Sequence, residues 1–145
     1  MDLNTTDPGT VVGAPVVHLN PASLFDMSRV GYAQFSVAEP GRLAFVSGQV
    51  AGYPGEGPMP SDLAAQAEIV AANLKTALAE LGATPNDVVM VRVYVVNATP
   101  DRFGEVMPTL ARTFSGGQPS ITTVGVQALF APDCQLEVEM VVRVP

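Results

Sequence analysis

Two glutamates set the chemistry this chain could do. Glu137 and Glu139 sit in the run Leu136-Glu137-Val138-Glu139-Met140, where apolar and acidic residues alternate. Alternation with a period of two marks a half-buried β-strand and puts both carboxylates on one face. A carboxylate held beside a reacting carbon can take a proton from water and return it to a leaving group. The plainer reading of such a residue is a solvated or interface-paired acid, and the residues alone leave both open. Arg92 lies in the middle of the run Val88 to Val96. It could grip an anionic ligand, but the commoner use of a strand-borne arginine is an ion pair, here with Glu137 or Glu139.

Other chemistries have little to stand on. There is one cysteine, Cys134, and one histidine, His18, so no disulfide forms within the chain and a Cys/His zinc site within one subunit is excluded. No metal and no cofactor are expected. Cys134 follows the turn residues Pro132-Asp133 with no basic neighbour, which predicts an inert thiol. Thr122 and Thr123 are strand residues without an identifiable base, and His18 is far from them in sequence and reads as structural. Gly116-Gly117 signals a loop and not a phosphate cradle, because no strand, glycine-rich loop and helix follow in series.

These side chains need a scaffold, and its elements are legible. Val16 to Leu19, Tyr32 to Val37 and Leu43 to Gly48 read as strands, the last two joined into a hairpin by the turn signal Glu39-Pro40-Gly41. Leu63, Ala67, Val70, Leu74, Ala77 and Leu81 recur at steps of three and four, which predicts a helix from Asp62 to Leu81. Asp62 or Ser61 can cap its start and Gly82 can close its end. Val88 to Val96 is a strand with Val89, Val91, Val93 and Val95 toward the helices and Val88, Met90, Arg92, Tyr94 and Val96 away from them. A second helix is predicted from Pro100 to Phe114, then strands from Thr122 to Leu129 and from Leu136 to Val144. The order β-β-β-α-β-α-β-β implies an α+β layer, both helices on one side of a mixed sheet.

Composition bounds the rest. The chain of 145 residues reads as one domain from residue 16 onward, after a flexible lead-in over residues 1–15 rich in Asp, Thr, Gly and Pro. Net charge is −7, and the seven basic residues are scattered singly, so the electrostatic footprint of a nucleic-acid binder is missing. No apolar run is long enough to span a bilayer as a helix, and the first residues lack the pattern of a secretion signal. A reducing cytoplasm is the expected setting. The hydrophobic fraction of 48% is high for so small a domain and predicts apolar surface hidden between subunits.

An ordered series of segments resembles the RidA/YjgF family. It runs through Gly31-Tyr32-Ala33-Gln34, Phe45-Val46-Ser47-Gly48-Gln49, the alanine-rich helix from Asp62 to Gly82, and Asp87-Val88-Val89 leading into Val93-Tyr94-Val95. Phe103, Pro119-Ser120, Thr122-Thr123-Val124 and Leu136-Glu137-Val138-Glu139 complete it. The resemblance implies a chorismate-mutase-like α+β domain, a homotrimer whose sheets form a central barrel, and small-molecule clefts at the subunit interfaces. It implies hydrolysis of reactive enamines and imines with release of ammonia. By the same resemblance Glu137 is the catalytic carboxylate, with Tyr32, Gly48 and Thr123 lining the cleft. Two positions depart from the pattern. Ile121 stands where active deaminases carry a substrate-gripping arginine, and Met107 aligns with a cleft asparagine. An arginine clamps a carboxylate through paired charge-assisted hydrogen bonds, and isoleucine has no donor. Simple 2-imino acids are therefore poor candidate substrates. A dehydration or cyclisation step would need the same acid/base group. The competing expectation is a non-catalytic trimer that binds a small apolar or neutral metabolite or a protein client, or serves in regulation.

Overall fold

Valine-rich alternation in the second half of the chain builds the sheet, and alanine-rich helices close over one of its faces. The computed structural model describes residues 14–53 and 55–145. Its elements are β1 (Val16–Leu19), β2 (Phe35–Ala38), β3 (Leu43–Gln49), α1 (Leu63–Glu80), β4 (Val88–Val96), α2 (Pro100–Thr113), β5 (Ser120–Val126) and β6 (Leu136–Arg143). This is the expected order and the expected α+β class. The lead-in predicted over residues 1–15 lies outside the described residues except at its end.

Four strands form the main sheet in the order β3-β6-β4-β5, with β4 and β5 parallel and the other pairs antiparallel. β1 and β2 form a separate antiparallel ribbon. The expected hairpin of β2 with β3 does not form. The ribbon instead crosses one end of the main sheet. Ala33 bridges to Ser120 at the start of β5, and Glu39 and Pro40 reach Arg143 at the end of β6, whose guanidinium donates to their carbonyls at 3.1 and 2.9 Å. Glu39-Pro40-Gly41 is thus a corner between two sheets. Gly41 leaves room there for the Arg143 guanidinium, which a Cβ would displace.

The helices are started by the residues suited to it. The Asp62 side chain accepts from the Ala64 amide at 3.0 Å, and Thr99 accepts from the Arg102 amide at 3.2 Å, ahead of Pro100 in the first turn of α2. Gly82 follows α1 in the left-handed conformation, φ +63°. The core joins Leu63, Ala67, Val70, Leu74 and Leu78 of α1, Val106 and Leu110 of α2, and the inward residues of β4 and β6, so both helices cover one face of the sheet.

Two details depart from simple alternation. In β4 the partner of Val88 is Val142 and the partner of Met90 is Val141, so Val89 is an extra residue in the ladder. The bulge turns Val88, not Val89, into the core beside Val91, Val93 and Val95. β5 starts two residues before the expected Thr122 and stops at Val126, because its parallel partner β4 ends at Val96 and the chain turns at Asn97, φ +51°.

Candidate functional site

Glu137 lies on β6 between Leu136 and Val138, which are fully buried in the core, so its side chain emerges on the face away from the helices. Two residues of β3, Ser47 and Gly48, stand opposite Glu139 in a bulge between the pairs Val46–Met140 and Gln49–Val138. The bulge brings Gly48 against the Glu137 side chain, so closely that a Cβ on Gly48 would overlap the carboxylate. Among the described residues the Glu137 carboxylate has no ion-pair partner. The nearby cation, Arg92, is taken by Glu139, with Nη1 to Oε1 at 3.0 Å. Tyr94 donates to the same Glu139 oxygen at 3.0 Å. Its bond to that carboxylate pushes the phenol above its usual range, and the same carboxylate raises Arg92. Arg92 is therefore an ion-pair residue, the plainer of its two readings.

The other predicted cleft residues lie elsewhere. Ile121 and Thr123 pair with Val91 and Val93, whose side chains are in the core, so both share the helix-side face of the sheet. Ile121 packs against the core edge, as does Met107 from α2, while Thr123 is exposed. Tyr32 precedes Ala33, whose amide donates to the Pro119 carbonyl at 3.1 Å, so it belongs to the same β5 edge. The segment carrying it is pinned by Asn20, whose side-chain oxygen accepts from the Met27 and Gln34 amides. Within one subunit the candidates thus form two groups. Gly48 and Glu137 are on the outer face. Tyr32, Met107, Ile121 and Thr123 are at the β5 edge and helix side.

Sequence reasoning missed three features here. The first is Tyr94 as a partner of Glu139; its place on the same face as Arg92 was the available signal. The second is a depression of about 540 Å³ at the far end of β4, lined by Val96, Asn97, Gln127, Leu129, Phe130 and Pro132 among others. Val96 lies two residues beyond Tyr94, the register partner of Glu137, and the depression itself is not lined by Glu137. The third is Gln66, fully buried on α1. Its amide nitrogen donates to the Pro60 and Asp133 carbonyls, both at 2.8 Å, and its oxygen accepts from the Gln135 amide at 3.0 Å. This fixes the chain where it enters β6, two residues before Glu137. Cys134, at that entrance, is buried, and burial pushes its thiol up, in keeping with an inert residue.

Comparison with known proteins follows the same architecture. A family sequence model described as Endoribonuclease L-PSP matches residues 26–144. Protein DfrA of Myxococcus xanthus is 34% identical over 99 residues, 68% of this chain and 74% of its own length. The structure of YyfB, a Rid-family protein of Yersinia pestis, superimposes with a TM-score of 0.82 at 34% identity, covering 89% of this chain and 98% of that one. A YjgF/YER057c/UK114-family protein of Mycobacterium tuberculosis superimposes with a TM-score of 0.60 at 31% identity, over 89% and 99% of the two chains. Among the described residues no helix is long and apolar enough to cross a membrane.

Proposed function

The chain belongs to the Rid/YjgF family, the endoribonuclease L-PSP family of the matching sequence model, and from that premise we propose that it is a cofactor-independent cytoplasmic enzyme acting on a small imine, enamine or related amine intermediate. The observation that carries this reading is the Glu137 carboxylate, without an ion-pair partner among the described residues and lying in the space that a Cβ on Gly48 would take. In the proposed reaction Glu137 takes a proton from water as the water oxygen bonds to the C=N carbon. The nitrogen is protonated, the C–N bond breaks, ammonia leaves and the oxygen becomes a carbonyl. A dehydration or cyclisation would use the same proton transfers.

The two groups of candidate residues fit a homotrimer with clefts between subunits. In that assembly the outer-face group of one subunit, Gly48 and Glu137, meets the β5-edge group of the next, Tyr32, Met107, Ile121 and Thr123. The exposed apolar side chains of the outer face, Phe45 at 77% and Leu43 at 46%, favour such an assembly. Ile121 and Met107 make the anchoring end apolar, so the substrate is neutral there and not a simple 2-imino acid. RNA is disfavoured as a substrate by the net charge of −7 and the scattered basic residues.

The test is ammonia release from a panel of imines generated in situ. Glu137→Gln should lower turnover by at least about 100-fold, as expected for loss of a positioned proton-transfer group. Full turnover in that variant would sink the mechanism. The second reading, a non-catalytic binding trimer, is favoured by Ile121 at the arginine position. Tight metabolite binding with no product from any imine would support it.

A further inference from the structure

On the outer face of the main sheet Arg92, Tyr94 and Glu139 form a polar cluster bordered by apolar side chains. A depression of about 200 Å³ is walled by Phe45, Met90 and Val141, with Arg92 and Glu139 among them. The cluster is only half used. Arg92 Nη1 and the Tyr94 hydroxyl both bond to one oxygen, Glu139 Oε1. Glu139 Oε2, and Nε and Nη2 of Arg92, have no partner among the described residues, and the Arg92 and Glu139 side chains are 48% and 35% exposed. An anionic ligand would meet a cation already neutralised by Glu139, and a cationic ligand would meet the converse. The surface that complements an acceptor and a donor side by side on an apolar face is one bearing the same pair. A second copy of this chain has it.

We infer that Arg92, Tyr94 and Glu139 form a polar latch that sets the register in which copies of this chain meet on the outer sheet face. The free guanidinium nitrogens of one copy bond the free Glu139 oxygen of the next. In a closed ring each copy gives one such pair and receives one, so neither Arg92 nor Glu139 is left unpaired when the apolar face is buried. Tyr94 holds the Glu139 carboxylate in place from the other side. The inference rests on the homotrimer reading above, and it adds which residues decide how the copies engage.

The experiment compares association and folding of the same variants. Sedimentation velocity over a dilution series gives the dissociation constant. Far-UV circular dichroism and thermal melting report the fold. Arg92→Ala should weaken association on the order of 30-fold or more, because it strands Glu139 in a buried contact, while leaving the spectrum of the single chain unchanged. The double variant R92L/E139L removes both charges and should regain association to within about tenfold of the parent. An Arg92→Ala chain that associates like the parent overturns the latch and leaves the trimer standing. A double variant as weak as Arg92→Ala also overturns it, since the loss would then not come from a stranded charge. A parent chain that stays monomeric at all concentrations overturns the trimer reading and the latch together.

Discussion

Gly48 and Glu137 compete for the same space, and the glycine yields it. Its conformation is not left-handed; what it supplies is the absence of a Cβ where the Glu137 carboxylate lies. The atom that a methyl group would strike is the far end of a flexible side chain, so Gly48→Ala can be absorbed by swinging the acid away. We expect that variant to keep its melting temperature within a few degrees and to lose about 100-fold in turnover, the usual effect of misplacing a reacting group by an ångström. Parallel loss of stability and activity would instead mark Gly48 as a packing residue. His18 makes a separate prediction. Its Nδ1 lies 3.0 Å from the Ser36 hydroxyl, which in turn accepts from the Ser120 amide, and Nε2 is buried without a partner of good geometry, although the Asn86 backbone lies near. Burial pushes the imidazole below its usual value, and the Asn86 backbone only partly offsets this. The unfolded chain therefore binds the proton first as pH falls. The contribution of His18 is complete above about pH 6.5 and is lost on acidification toward the lowered folded value. Thermal melts between pH 5 and 8 should fall on the acid side, and His18→Gln, which does not titrate, should flatten that slope. An unchanged slope would assign the acid sensitivity to carboxylates.

At the scale of elements, the entry to β6 is held by hydrogen bonds more than by packing. Gln66 satisfies three main-chain groups at once, and Gln135 adds a bond to the Ser61 carbonyl at 2.8 Å and accepts from Arg102 at 2.9 Å. Gln66→Leu fills the volume but removes the partner of the Pro60 and Asp133 carbonyls and of the Gln135 amide. It should cost about 1–3 kcal/mol for each group left buried and unpaired, measured by urea unfolding. A neutral result would mean that water replaces the amide. This clamp is not legible in the sequence, because Gln66 falls on the apolar stripe of an alanine-rich helix and two of its three partners, Asp133 and Gln135, are 67 and 69 residues away. Local periodicity located both helices and β4 to within a residue or two, since those signals are carried by neighbours in the chain. It failed where the partner is distant. The extra residue at Val89 is invisible without β6, and the corner at Glu39-Pro40-Gly41 looks like a hairpin turn until Arg143 is placed against it. The candidate site shows the same division. Glu137 is singled out as a candidate by its alternation and the family likeness, while Tyr94 as a partner of Glu139 needs the register of two strands.

At the scale of the molecule, the sheet has one finished face and one unfinished one. The helix side is closed by a continuous core from Leu63 to Val142. The outer side exposes Phe45 at 77% and Leu43 at 46%, with Met90 and Val141 around the Arg92–Glu139 pair. The 48% hydrophobic content that looked excessive for one small domain is partly accounted for by this face. The two groups of candidate residues lie on opposite sides of the sheet within one chain, which is the placement that the proposed assembly would join. If copies meet there, Phe45 is the side chain with most surface to bury, and covering one phenylalanine is worth about 1.5–3 kcal/mol. Phe45→Lys should therefore weaken association by about 10- to 100-fold at each contact, with the far-UV spectrum of the subunit intact. Turnover, if Glu137 works with the β5 edge of a neighbour, should fall in step with the associated fraction and return as protein concentration is raised. Activity that stays with the dissociated subunit would show that one chain carries the whole site.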